Sequence, residues 1–395
     1  MTPSNQDQSV DLKASCLCKT HVFTTAVPRS SLPLESWMCH CTSCRHVTGA
    51  LYTHDAQWPG SLEPVIRAGL SSYQMTENVK LLFCGKCSTP MFWWEQFKGQ
   101  PEVLDVLIGA LECDAKSEVV RTVRHGFVKD TKDGGATPWS TKLASDQEPI
   151  PMWSGAPNKS ELIQPEWLDA HEGGHDAADD KGLDELPIVC HCHGVNLILR
   201  RGKADFASTD RGKLPWFIEP DTHRALASFD ACNSCRKSFG INVMNWTFAL
   251  LKHISFALDA GKDGTIPVST RELEAAVSNP KRDERYGTLQ FYNSSEGVQR
   301  YFCSRCSASV FYAVHDRPDM VDLAIGLLDS PDGARAESRL AWCLGAPPVW
   351  KGSIDGTWRQ PFADLLTENA EAWRLRTDRK INWLRAQREE AKAKK

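Results

Sequence analysis

One cysteine spacing is written twice in this chain, and that repetition limits the possible folds more than any other feature. The first occurrence runs CLC at Cys16 and Cys18, MCHCTSCR with Cys39, Cys41 and Cys44, and LLFCGKC with Cys84 and Cys87. The second runs CHC at Cys190 and Cys192, FDACNSCR with Cys232 and Cys235, and YFCSRC with Cys303 and Cys306. Flanking segments align as well: LSSYQMTENVKLLFCGKC with LQFYNSSEGVQRYFCSRC, and LDVLIGALE with VDLAIGLLD. A repeat of this length indicates a duplicated structural unit. A chain of 395 residues suits two domains on size alone. The expected organisation is a first domain over 12–145, a Pro-, Gly- and Asp-rich linker over 146–185, a second domain over 186–355 and a helical tail over 360–395.

Within each unit the apolar segments are short. VLDVLIGAL and MVDLAIGLL read as strands carrying an Ile-Gly step, and LLFC and RYFC read as strand ends entering a metal knuckle. The fold class is therefore mainly β. The second unit has a longer insert containing STRELEAAVSNPKRDERYG, read as a short surface helix and a loop. In the tail, Leu366, Trp373, Ile381 and Leu384 stand near helical spacing, which predicts a C-terminal helix packed on the body with its charged face in solvent.

Fifteen cysteines follow a polar start, MTPSNQDQSVDLK, that lacks the apolar core of a secretory signal. The expectation is a cytoplasmic protein with reduced thiols, so metal ligation outranks disulfides. No apolar run approaches the roughly 20 residues of a membrane span, and a net charge of −4 gives no field to attract phosphate backbones. Membrane and nucleic-acid partners are not expected.

Cys16, Cys18, Cys84 and Cys87 supply the four donors of a closed tetrahedral zinc site, and Cys190, Cys192, Cys303 and Cys306 repeat the set. Cys39, Cys41 and Cys44 offer three donors, which leaves a zinc position open for substrate unless His40, His46, His54 or His125 closes it. In the second unit Asp230 stands where the first has Cys39. An Asp230, Cys232 and Cys235 site is one alternative there and an empty site the other. The offset that aligns the Ile-Gly steps sets Trp342 opposite His125, Cys343 opposite Gly126 and Cys113 opposite Ser330. Cys113 and Cys343 then fall outside the pattern, as ordinary core or surface thiols.

The pattern CxC, CxCxxCR, FCxxC and an apolar strand with its Ile-Gly step resembles the superfamily of glutathione-dependent formaldehyde-activating enzymes and centromere protein V. The resemblance covers roughly 12–145 and 186–355. It implies two tandem zinc-bound β-tent domains, structural zinc at the CxC and CxxC pairs and catalytic zinc at Cys39, Cys41 and Cys44, giving two Zn²⁺ in the first repeat and one or two in the second. It further implies a carbon–sulfur lyase acting on a thiol adduct such as S-hydroxymethylglutathione. His125 and His40 are candidates for proton transfer, and Arg45 for binding a glutathione carboxylate. Arg236, the counterpart of Arg45, keeps open the reading that this arginine only stabilises the motif turn. The alternative to an enzyme is a zinc-stabilised, non-catalytic binding or scaffold protein. In either case the two repeats are candidates to pack as an intramolecular pseudo-dimer.

Overall fold

The computed structural model describes residues 9–143, 148–170, 184–257 and 264–394. The stretch HEGGHDAADDK, part of the segment read as a linker, lies outside the described residues.

The first half contributes strands β1 (Ser9–Ser15), β2 (Val22–Pro28), β3 (Leu34–Cys39), β4 (Thr53–Gln57), β5 (Ser71–Thr76), β6 (Val79–Phe83), β7 (Pro90–Glu95), β8 (Val103–Leu107), β9 (Leu111–Glu112), β10 (Val120–Gly126), β11 (Met152–Trp153) and β12 (Leu162–Ile163). The second contributes β13 (Glu185–Val189), β14 (Asn196–Arg200), β15 (Ala225–Asp230), β16 (Met244–Leu250), β17 (Ile254–Phe256), β18 (Leu289–Ser295), β19 (Val298–Cys303), β20 (Ser309–Val314), β21 (Met320–Ala324) and β22 (Leu340–Trp342). The helices are α1 (Thr42–Thr48), α2 (Leu62–Ile66), α3 (Pro165–Ala170), α4 (Lys203–Ala207), α5 (Asn233–Phe239), α6 (Thr270–Ser278), α7 (Gln360–Arg376) and α8 (Trp383–Ala393). No helix among the described residues is long and apolar enough to cross a membrane.

One strand order underlies both large sheets. The first runs β10-β3-β4-β8-β7-β6-β5 and the second β22-β15-β16-β21-β20-β19-β18. Even the irregularities match, since the register shifts between Leu82 and Phe83 in one half and between Tyr301 and Phe302 in the other. A bulge there re-aims the strand end so that it turns into the cysteine knuckle. The chain is mainly β, as expected.

Three expectations meet differences. Two pieces of the segment read as a linker, β11 and β12, extend the first sheet beyond β10, with His125 opposite Met152. Gly155 and Pro157 lie in the turn between them. The C-terminal tail is two helices, because Asp378 takes a left-handed φ of 50° and Asn382 caps α8 by accepting from the Leu384 N–H at 3.1 Å. Leu366 and Trp373 are buried on α7, whereas Ile381 falls in the break and is exposed. The strand register also corrects the Ile-Gly offset. Val349 donates to Phe229 O and accepts from Ala231 N, the place Gly126 holds beside His40, so the counterpart of His125 is Pro348 and not Trp342. Extra residues after β22 shift the numbering. The insert helix α6 forms as read, with Ser269 accepting from Glu272 N at 3.3 Å, and it buries Leu273 and Val277 beneath a polar face.

The two halves meet through reciprocal contacts. Gly109 N donates to Gly240 O at 2.8 Å, and Gly326 N donates to Gly49 O at 2.9 Å. Ser88 Oγ donates to Ser307 O at 2.7 Å, and Ser307 Oγ donates to Ser88 O at 2.8 Å. Gly109 and Gly326 are the glycines of the two Ile-Gly steps, and Gly49 and Gly240 end helices α1 and α5 with φ of 82° and 75°. Added bulk has no room: a Cβ on Gly326 would stand 2.0 Å from Ala50 O, and one on Gly109 2.3 Å from Arg236 O. Across the same boundary the buried Arg335 meets Asp133, donating through its backbone N–H to Asp133 Oδ2 at 2.7 Å and stacking on Trp373 of α7. Arg359, just before α7, donates to Asn242 Oδ1 in the second half and to Ile108 O in the first. Gly326→Ala and Gly109→Ala should each lower stability by about 1–3 kcal/mol or more through overpacking. Urea midpoints would measure it, and an unchanged midpoint for both would contradict this account of the junction.

Candidate metal centres

Each CxC pair sits in the turn after the first strand of its half, β1 or β13, and each CxxC pair in the knuckle after β6 or β19, so folding brings two tight turns together. The residues closing these turns are left-handed at matched positions, Lys19 with His193 and Ser88 with Ser307. The four sulfurs of each set lie within 4.8 Å of one another. Cys16 to Cys18 and Cys18 to Cys84 are 3.6 Å apart, and Cys190 to Cys192 and Cys192 to Cys303 are 3.6 and 3.4 Å. These separations are far longer than a disulfide and near the roughly 3.8 Å edge of a tetrahedron built on Zn–S bonds of about 2.3 Å. Backbone N–H groups already point at the sulfurs, His21 to Cys16 at 3.3 Å and Val195 to Cys190 at 3.2 Å. The donor sets suit a structural metal ion.

Cys39, Cys41 and Cys44 form a third cluster, their sulfurs also within 4.8 Å. β3 delivers Cys39, Cys41 caps α1, and the first turn of that helix carries Cys44, whose N–H donates to Cys41 Sγ at 3.2 Å. No fourth His, Cys, Asp or Glu among the described residues joins the cluster. Hydrogen bonds from the Cys39 and Cys44 thiols hold Cys41 down at about 3, while Cys39 is pushed well above the ordinary thiol range by its bonds to the other two and by burial. Their mutual hydrogen bonds thus favour the thiolate at Cys41 over Cys39 and Cys44, and a metal would displace the remaining protons. Three sulfurs with an open side suit an ion that keeps a position for a ligand.

Three of the four histidines weighed as a distant fourth ligand hydrogen-bond elsewhere, whereas His46 Nε2 is buried with no partner among the described residues. His125 Nε2 donates to Ser140 O at 3.0 Å and its Nδ1 accepts from His40 Nε2 at 3.0 Å. Both rings are fully buried, and burial lowers His125 to about 4 and His40 well below its ordinary value. His54 lies between Ser36 and Thr122, its Nε2 at 2.9 and 3.1 Å from their hydroxyls, and burial lowers it to about 3. His46, also buried, is lowered to about 4.

Arg45 and Arg236 part company. Arg236 Nη1 donates to Gly109 O at 2.6 Å and so ties its helix to the other half. Arg45, 6% exposed, bonds to Thr42 Oγ1 at 3.3 Å, and its Nε and Nη1 have no partner among the described residues. Cys41 and the carboxylates of Asp133, Asp329 and Asp130 lie near enough to favour its charge against the cost of burial.

His191 was not singled out from the sequence. It is the middle residue of the second CxC pair, and its N–H donates to His46 O at 3.0 Å, which seats it against α1 of the first half. Its Nδ1 is 2.8 Å from the Tyr73 hydroxyl. Burial lowers its pKa, while the Cys41 thiolate, close enough to be felt, works against that. The available signal was the contrast between CHC and CLC, a histidine in one loop and Leu17 in the other.

The second-half motif gathers Asp230, Cys232 and Cys235 within 4.8 Å. Asp230 Oδ1 accepts from Cys232 N at 2.7 Å, and its carboxyl is pushed up to about 7 by burial and by Cys232 and Asp322 nearby, against the pull of that hydrogen bond. Arg300 Nη1 donates to Cys235 Sγ at 3.4 Å. A cavity of about 340 Å³ opens beside Asp230 and away from the three-cysteine cluster, walled by Trp216, Trp246, Tyr312 and Trp350. Cys113 and Cys343 lie outside all four clusters.

Residues 11–130 match the sequence model of a family described as glutathione-dependent formaldehyde-activating enzyme, under a third of the chain. No curated protein matches the chain, and no solved structure does.

The buried histidines make a pH prediction. Unfolded histidine titrates near 6.5, whereas His54 and His125 resist protonation until about 3 and 4. Between those values the unfolded state binds more protons, so stability is full above about pH 6.5 and is lost as pH falls. Each ring accounts for on the order of 1–2 kcal/mol by pH 5. His54→Asn, which copies Asn245 at the matched position of β16, should shrink the drop in urea midpoint between pH 7 and pH 5. An identical drop in the variant and the parent would refute this account.

Proposed function

We propose that the two halves are copies of one zinc-bound unit packed as an intramolecular dimer, and that the first is a carbon–sulfur lyase-type enzyme acting on a thiol adduct such as S-hydroxymethylglutathione. The observation that carries this reading is the open three-thiol cluster beside a buried arginine with two unpartnered nitrogens. The family match over 11–130 supports the substrate class. In this reading Cys16, Cys18, Cys84 and Cys87, with Cys190, Cys192, Cys303 and Cys306, hold structural ions. An ion at Cys39, Cys41 and Cys44 would supply a Lewis-acid position for the sulfur or hydroxyl oxygen of the adduct.

The protein residues then divide the remaining work. Arg45 takes a carboxylate of the thiol peptide through Nε and Nη1, satisfying donors that are otherwise buried unmet. His191 exchanges the adduct's hydroxyl proton as the C–S bond breaks or forms, a task suited to a half-buried imidazole with one nitrogen uncommitted. His125, with His40, acts as a positioning residue. The pair joins β10 to β3 beneath Cys39, and both rings stay neutral where a proton carrier would have to titrate.

Zinc content and adduct turnover, followed by NMR of the hydroxymethyl group, test the reading. Cys41→Ser should lose one ion and reduce turnover to the spontaneous rate. Arg45→Met should raise KM about tenfold or more with kcat largely kept. His191→Gln should lower kcat by about 10²-fold and remove a limb of the pH–rate profile. Full zinc content and turnover in Cys41→Ser would sink the proposal. A zinc-replete parent without turnover would favour the scaffold reading instead.

A further inference from the structure

The second-half motif has the outline of a metal site, but its surroundings do not suit an ion. Arg300, on β19 and 8% exposed, places a guanidinium within hydrogen-bond distance of Cys235 Sγ, and its Cζ lies 4.9 Å from the centre of the Tyr312 ring. That charge is permanent, because a guanidinium does not deprotonate in proteins. In the first half the same sheet position is Leu81: Leu81 pairs with Tyr73 as Arg300 pairs with Tyr292, each three residues before the knuckle cysteine. Asp230 replaces the third sulfur, and one of its oxygens is already taken by the Cys232 N–H. A divalent cation would therefore meet a fixed positive charge and a poorer donor set.

We infer that Asp230, Cys232 and Cys235 exclude metal, with Arg300 standing where the ion's charge would be, and that Cys232 and Cys235 form a dithiol that reduces low-molecular-weight disulfides. Two features of the site fit that chemistry. Cys232 is half-buried and reachable, while Cys235 behind it is 5% exposed, which is the arrangement of an attacking and a resolving thiol. The aromatic-walled cavity at Asp230 is large enough for the organic body of such a disulfide. The Cys232 thiolate attacks one sulfur of the small disulfide, whose S–S bond breaks and releases one thiolate. Cys235 then attacks the Cys232 sulfur of the mixed disulfide and releases the second. The protein pair is oxidised to a Cys232–Cys235 disulfide, the small disulfide is reduced to two thiols, and the two cysteine protons end on those thiols.

The experiment uses the full chain with the zinc it carries from purification. Metal content is read as a difference from the parent, so it is independent of whether the three-cysteine cluster is occupied. Cys232→Ser should lose no ion. Asp230→Cys with Arg300→Leu, which copies the first motif, should gain one. Loss of an ion in Cys232→Ser, or no gain in the double variant, overturns metal exclusion by Arg300. For the dithiol, the parent is treated with glutathione disulfide and mapped by mass spectrometry after alkylation. A Cys232–Cys235 bridge in the parent and a mixed disulfide at Cys232 in Cys235→Ser are expected. Free, alkylated Cys232 and Cys235 after treatment would overturn the activity, and this readout needs no engineered variant to fold.

Discussion

The close approach of backbone at four glycines organises the molecule. Helices α1 and α5 each end on a left-handed glycine whose carbonyl accepts from the Ile-Gly step of the other half, so neither helix is positioned by its own half alone. Side chains at these points would separate the halves by more than packing could absorb. Because α1 and α5 each follow directly on the strand that delivers the first residue of their motif, fixing the helix end also fixes where the sulfurs meet. The Ser88–Ser307 exchange does the same for the two knuckles. Clusters that look local in sequence are therefore held by contacts between residues more than 100 positions apart, such as Gly109 and Gly240.

This junction also decides which residues surround each cluster. The second CxC loop lies on α1, so His191 reaches the first-half site, while Lys237 of α5 bonds to Ser15 next to the first CxC loop. Arg236 spends its guanidinium on the junction, and Arg45 at the matched position does not. The tail adds a second tie, since Arg359 bonds into both halves and Trp373 packs on Trp139 and Arg335. Breaking the buried Arg335 and Asp133 contact would leave a charge without compensation in the core, which is why this part of the boundary is polar yet fully enclosed.

Much of this was legible in the sequence. Paired ligand spacings depend only on tight turns, so the four clusters could be assembled from Cys16 to Cys306 without knowing the sheets. The mainly β class followed from short apolar runs. Register and contact across the junction were harder to read. The Ile-Gly offset put Trp342 opposite His125 because an insertion after β22 leaves no mark in a fixed-offset alignment, whereas hydrogen bonds put Pro348 there. Strands β11 and β12 have two residues each, too few for any periodic signal. His191 and Arg300 lie far in sequence from Tyr73 and Cys235, the partners that define their places, and only the contrast of CHC with CLC marks the first of them locally.

Joining two such halves in one chain has a physical consequence that a symmetric dimer would not share. In an isologous pair every substitution appears twice, so a change that suits one site must be tolerated at the other. Here Leu81 and Arg300, Cys39 and Asp230, and Leu17 and His191 occupy matched positions with different chemistry. An arginine at position 81 would set a fixed charge in the apolar surroundings beside the three-thiol cluster, and a leucine at 300 would leave Cys235 without its donor. The junction tolerates this divergence because it is built largely from backbone groups and small residues, Gly49, Gly109, Gly240, Gly326, Ser88 and Ser307, none of which belongs to the differing pairs. Interface and site chemistry are thereby separated: one set of residues keeps the halves in register while another lets the surroundings of each cluster diverge.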